Sequence, residues 1–141
     1  MLRISDFNRI LEILKNNSRT PFVKIANKIG KSEAAVRKTV RKLVSAGVIR
    51  KFTLEIDYKK LGLNVDAIIG IDATPQSYMN LIEALKGFDE IESLYTSTGD
   101  HMIIARCLFE NSDKLAVFLK KIEKLSGVIK ICPAIILEKV K

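Results

Sequence analysis

Apolar residues recur at helical spacing through the first third of the chain and then switch to short, strand-like runs. Phe7, Ile10, Leu11 and Leu14 predict an amphipathic first helix, capped by Ser5 or Asp6 and ended by Asn16, Asn17 and Ser18. Thr20-Pro21 predicts a second start, a cap followed by proline at the first helical position, where its missing N–H costs nothing. Val23, Ile25, Ala26 and Ile29 form the stripe of that short helix, and Gly30 supplies a left-handed stop. Ser32 caps a third helix with Val36, Val40, Leu43 and Val44 facing inward, closed at Ala46-Gly47. At about 100° per residue, Ala34, Lys38, Arg41, Lys42 and Ser45 point away from that stripe, with Arg37 on its flank. Residues 49–56 are rich in β-formers and predict a short strand or wing ending near Asp57, before a hinge at Lys59-Lys60-Leu61-Gly62.

From Leu63 the pattern changes. Residues 65–73 read as a strand, and Tyr78, Leu81, Ile82 and Leu85 as a helical stripe closed by Gly87. Residues 91–98 and 101–109 predict two strands joined at Gly99-Asp100. Leu115, Phe118, Leu119, Ile122 and Leu125 predict a second helix capped by Asn111 or Ser112, and residues 127–140 a last strand in which Pro133 marks an edge or bulge. The order βαββαβ is the ferredoxin-like split arrangement. Two helices cover one face of a four-stranded sheet, yet Ile68-Ile69, the run 102–105 and the run 134–137 are apolar on both faces. An apolar second face needs a second layer, and a second copy of the chain supplies one, so a homodimer is expected through this half.

Charge divides the chain at the same hinge. Through Gly62 fifteen Lys and Arg stand against five Asp and Glu, a net of +10; from Leu63 onward nine stand against eleven, a net of −2. A basic head on a mildly acidic body points to one end meeting a polyanion. At 141 residues the chain holds two small domains, 1–62 and 63–141, and Ile, Leu and Val are plentiful in both. No apolar run reaches the roughly 20 residues that span a bilayer, and the first residues do not read as a secretory signal. Cys107 and Cys132, isolated in apolar runs, read as small buried hydrophobes and not as a disulfide. A cytoplasmic protein with no membrane partner is expected.

The first three helices have helix-turn-helix proportions: a short helix, a tight turn at Gly30-Lys31-Ser32, then a longer basic helix. In that motif the second helix of the pair enters the major groove of double-stranded DNA with its N-terminal residues at the base edges. Ser32, Glu33, Ala34, Ala35, Arg37, Lys38 and Arg41 are then presented there. Ala34 and Ala35 permit close approach to thymine methyls, Arg37 or Arg41 suits bidentate pairing with guanine, and Lys38 and Lys42 suit phosphate. A merely solvated face is the alternative, but with acidic partners at i+4 nearly absent such a face repels itself. His101, the single histidine, reads as an exposed or packing residue beside a turn and makes no metal site with two distant cysteines. Asp89, Glu90 and Glu92 read as a solvated patch. No phosphate loop, nucleophile elbow or catalytic carboxylate pair stands out, so neither enzyme activity nor a cofactor or metal is expected.

One ordered set of residues runs through the head: Asp6 with Ile10 and Leu14; Asn17, Arg19 and Pro21; Ile25-Ala26 with Ile29-Gly30; Ser32; Leu43 with Gly47-Val48-Ile49; and Lys51-Phe52-Thr53. It continues through Leu61-Gly62, Tyr95, Thr98-Gly99-Asp100 and Gly127-Val128, nearly the whole chain. In this set the chain resembles the Lrp/AsnC, or feast/famine, transcription regulators of bacteria and archaea, and the resemblance carries several expectations. It implies an α+β protein: an N-terminal winged helix-turn-helix hinged to a C-terminal ferredoxin-like domain that dimerises, commonly into tetramers or octamers. It also implies that amino acids or related metabolites, bound in clefts between dimers, modulate DNA binding, with Thr98, Gly99 and Asp100 at the effector site. One departure matters. Many members read Thr-Gly-Asp-Tyr-Asp at that loop, whereas here Asp100 is followed by His101 and Met102. The missing second acid leaves a different effector or none, and Asp100 reads equally as a plain turn residue. The expected function is sequence-specific regulation of transcription; the rivals are a non-specific DNA-architectural protein and a metabolite-sensing module with secondary DNA contact.

Overall fold

The structure, a computed structural model, describes residues 4–141, with side chains from Asp6 onward. The chain divides into two compact units, Met1–Glu55 and Ile56–Lys141, seven residues before the hinge boundary expected from sequence.

The first unit is helical: α1 (Ile4–Asn16), α2 (Phe22–Ile29) and α3 (Glu33–Ser45). Its core is Ile10, Leu14, Ile25, Ala26, Ile29, Val36 and Val40, with Ile13, Phe22 and Ile49 packed against it. Several local expectations are corrected. Helix α1 already includes Ser5 and Asp6, so neither caps it; residues 1–3 lie outside the described residues. Pro21 is the N-cap of α2 and not its first helical residue, because its carbonyl accepts the first bonds, from the Lys24 and Ile25 amides. Thr20 instead donates its hydroxyl to the Asn17 carbonyl at 2.7 Å. Val23 and Val44 are exposed, at 48% and 45%, where an inner position was expected. On α3 the stripe centres on Val36, Val40 and Leu43, so each further turn rotates the fourth-neighbour series away and Val44 falls at the rim. Thr39, on the opposite rim, is buried, its hydroxyl bonded to the Ala35 carbonyl. Helix α3 closes as the sequence indicates, Gly47 taking φ 72° while the Val48 amide reaches the Leu43 carbonyl. Residues 49–57 form no strand. A strand needs a partner for its backbone groups, and the described residues of this unit offer only helices.

The second unit opens with a 3₁₀ turn, Tyr58–Leu61, whose first amide-end partner is the Asp57 carboxylate and whose exit is Gly62 at φ 86°. There follow β1 (Val65–Ala73), α4 (Tyr78–Lys86), β2 (Ile91–Thr96), β3 (Ile103–Phe109), α5 (Ser112–Glu123) and β4 (Val128–Ile135). The strands form one antiparallel sheet in the order β2-β3-β1-β4, the ferredoxin-like topology. Three strands are shorter than expected: β2 stops at Thr96, β3 starts at Ile103, and β4 covers 128–135 of the expected 127–140. Pro133 lies on β4, an edge strand, where its lack of an N–H is tolerated.

One face of the sheet carries α4 and α5. Ala67, Ile69 and Ile71 of β1, and Ile103, Ala105 and Cys107 of β3, are fully buried there against Leu81, Leu85, Leu115, Phe118 and Ile122. Burial pushes the Cys107 thiol up to about 12. Cys132 differs from expectation: it is half-buried, because it pairs with Gly70 on the face that the helices leave open. That open face holds Asp66, Ile68, Gly70 and Asp72 of β1 with Ile104, Arg106 and Leu108 of β3. Ile68 is 40% exposed on it.

Candidate nucleic-acid interface

The start of α3 is built by three local interactions. Ser32, in extended conformation, accepts the Ala35 amide at 3.2 Å and fixes where the helix begins. The preceding turn is set by Gly30 at φ 67°, with the Lys31 amide on the Ala26 carbonyl. Glu33 follows as the first helical residue, where a carboxylate is favoured by the helix dipole.

Of the eight residues singled out on this helix, Ser32, Glu33, Ala34, Arg37, Lys38, Arg41 and Lys42 are exposed and Ala35 is half-buried. Glu33, Ala34, Arg37, Lys38 and Arg41 together line one open recess of about 550 Å³. The sequence expectation that this face lacks acidic partners needs one correction: the Glu33 carboxylate accepts from the Arg37 guanidinium, one turn on, at 2.5 Å. That guanidinium also lies over the Phe22 ring, 5.2 Å from its centroid. Among the described residues, Lys38, Arg41 and Lys42 have no ion-pair partner. The helix therefore presents a neutralised, anchored end followed by three free cations.

Thr98, Gly99 and Asp100 occupy the tip of the β2–β3 connection, all three exposed, with Gly99 at φ 104°. The turn is closed by the Ser97 amide on the Met102 carbonyl. Among the described residues no hydrogen bond or ion pair holds the Asp100 carboxylate. Met102 packs against the sheet core. His101 is a packing residue. Its ring lies where a side chain at Gly70 would start. Its Nδ1 meets Asp72 Oδ2 at 3.0 Å, while Asp72 Oδ1 accepts the Met102 amide at 3.1 Å.

Three arrangements were not foreseen from sequence: Phe22 beneath Arg37, His101 over Gly70, and a bidentate pair between Arg106 and Asp66 at 2.7 and 3.0 Å. The last also involves Glu92 at 3.9 Å and the Tyr58 ring, and the Asp66 hydrogen bonds raise the Arg106 pKa above its usual range. One signal was available, since a glycine within the run Ile68-Ile69-Gly70-Ile71 marks close approach by another group. Among the described residues, no cluster of three His, Cys, Asp or Glu side chains is placed to hold a metal, and no helix is long and apolar enough to cross a membrane.

A profile described as winged helix-turn-helix DNA-binding matches residues 8–50, and one described as the Lrp/AsnC ligand binding domain matches residues 66–141. A helix-turn-helix joined to this sheet defines a class of DNA-binding regulator, and the chain belongs to the Lrp/AsnC family of transcriptional regulators. It is 47% identical to the HTH-type transcriptional regulator LrpA of Pyrococcus horikoshii over 133 residues, 94% of each chain. Among solved structures, AsnC of Escherichia coli matches with a TM-score of 0.86 at 26% identity, over 100% of this chain and 96% of that one. A transcriptional regulator from Neisseria meningitidis in complex with L-Met shares the fold at TM-score 0.89 and 18% identity, over 100% and 93% of the two chains. These relatives are regulators and not enzymes.

Proposed function

We propose that this regulator acts in the cytoplasm as a homodimer that reads a specific sequence in double-stranded DNA. Residues 1–62 carry the DNA contacts and residues 63–141 the self-association. The observation that carries the reading is the face of α3: Ala34, Lys38, Arg41 and Lys42 lie exposed opposite buried Val36 and Val40, and the three cations lack acidic partners among the described residues. Such a face suits the major groove, small residues and arginine toward the bases and lysines toward phosphates. Ser32, Glu33, Ala35 and Arg37 complete the contact set at the leading end of the helix.

Self-association is supported by the open face of the sheet. Ile68, Ile104 and Leu108 lie there without a covering helix, and an isologous partner buries them in pairs. Two such heads read a pseudo-palindromic site with half-sites about one helical turn apart, and octamers built from such dimers use contacts outside this face. An effector, an amino acid or related metabolite, is assigned to the loop Thr98-Gly99-Asp100, where the Asp100 carboxylate is unengaged among the described residues. The Neisseria relative, solved with L-Met, makes an amino acid the first ligand to try.

Replacing Arg37, Lys38 and Arg41 together with alanine abolishes operator binding in a gel-shift titration and leaves the oligomer and helical circular dichroism intact. Undiminished affinity in that variant rejects the assignment. A footprint with no phased protection favours the architectural reading instead.

A further inference from the structure

The Glu33–Arg37 pair is unusual for a surface that meets DNA, since a carboxylate there repels phosphate. Its placement gives it a use. Glu33 stands at the first turn of α3, the end that enters the groove, and Arg37 is fixed beside it by the Phe22 ring below. Both side chains remain about half exposed, at 46% and 49%, so the pair still faces outward.

An ionised carboxylate is an acceptor and nothing else. In the major groove the base donors are the exocyclic amines of cytosine and adenine. Adenine sets its amine beside the N7 acceptor, which repels the second carboxylate oxygen. Cytosine has no such neighbour on its own ring; across the pair its amine adjoins the O6 acceptor of guanine. A C·G pair thus shows a donor next to two acceptors. Glu33 next to Arg37 shows an acceptor next to donors, already at hydrogen-bond distance from each other.

Resting on the reading of this helix as the base-contacting element, we infer that Glu33 and Arg37 act as one unit that reads a single C·G base pair in each half-site. Glu33 accepts from the cytosine N4 amine, and Arg37 donates to guanine O6 and N7. Glu33 is the specificity-determining member. It discriminates against other base pairs and against non-specific DNA, because away from the cognate pair its carboxylate oxygens meet phosphates or acceptor atoms with no base donor to engage them.

The test uses the full-length protein. Random duplexes are selected by the wild type, by Glu33→Gln and by Glu33→Ala, and affinities are then measured on the wild-type consensus with each position replaced in turn. One C·G position per half-site is expected at which the wild type loses roughly tenfold or more on change to T·A. Both variants lose that preference there alone and keep it at the other positions, and Glu33→Gln binds unrelated duplex more tightly than the wild type, with a steeper salt dependence. Variants with the same preference as the wild type at every position overturn the inference and leave the proposed function standing. A wild type that selects no sequence overturns the proposed function itself. Circular dichroism of Glu33→Gln, which keeps the size and the helix propensity, controls for folding.

Discussion

Asp72 sits where two interactions meet on one carboxylate, the His101 ring on one oxygen and the Met102 amide on the other. The His101 hydrogen bond is the main cause that holds its pKa below the ordinary 3.8; partial desolvation opposes it, and the Met102 bond and the charge of Lys130 add to it. A carboxyl group depressed in the folded state contributes stability that is complete above its unfolded pKa. That stability is lost as pH falls through the folded value. Urea midpoints are therefore expected to fall in the acid range below about pH 3.8, and less steeply in His101→Ala than in the wild type. An identical acid limb in the two proteins shows that this contact contributes nothing. The sequence read His101 as an exposed or packing residue but did not show what it packs on, because the two groups lie about thirty positions apart and meet only through strand pairing.

At the scale of the element, α3 depends on its start. Ser32 Oγ takes one of the orphan amides of the first turn, and alanine in its place leaves that amide to water. Ser32→Ala is expected to cost about 1 kcal/mol in chemical denaturation of the helical unit, and Ser32→Asp to restore most of it. Element identity was legible wherever periodicity and caps agreed: the Ser32 cap, the stop at Gly30 and the βαββαβ order appear as read, Asn111 caps α5 where Asn111 or Ser112 was expected, and of the α5 stripe only Leu125 falls past the helix end. Expectations failed where the deciding interaction lies outside the local pattern. Residues 49–56 have strand residues but no strand to pair with, and Phe52 and Leu54 stand exposed at 53% and 73%. The Glu33–Arg37 spacing was visible in the sequence, but its significance depended on Phe22, which belongs to another helix.

At the scale of the whole molecule, basic and acidic residues separate between the two units, and so do the tasks proposed for them. The open sheet face combines apolar Ile68, Ile104 and Leu108 with the bonded pairs Asp66–Arg106 and Asp72–His101, so these charges are already engaged within the chain. A face of that kind is buried at lower desolvation cost than one with free charges. Placing an unpaired carboxylate at its centre, Ile68→Asp, is expected to convert the proposed dimer to monomer in analytical ultracentrifugation at micromolar concentration, while circular dichroism is retained. Operator affinity falls with it, because two half-sites are then bound separately. A variant that remains dimeric moves the self-association surface elsewhere.

Gly70 and His101 share one volume. A side chain at 70 displaces the ring at 101, and a flat ring at 101 needs a bare backbone at 70. The two positions are therefore expected to change together. In a set of related chains, a larger residue at 70 is expected to appear only where 101 has become small or has turned outward. Since 101 adjoins the loop assigned to the effector, the sheet interior and the identity of that loop cannot drift independently. Under the effector assignment proposed for that loop, a change of ligand is channelled through paired changes.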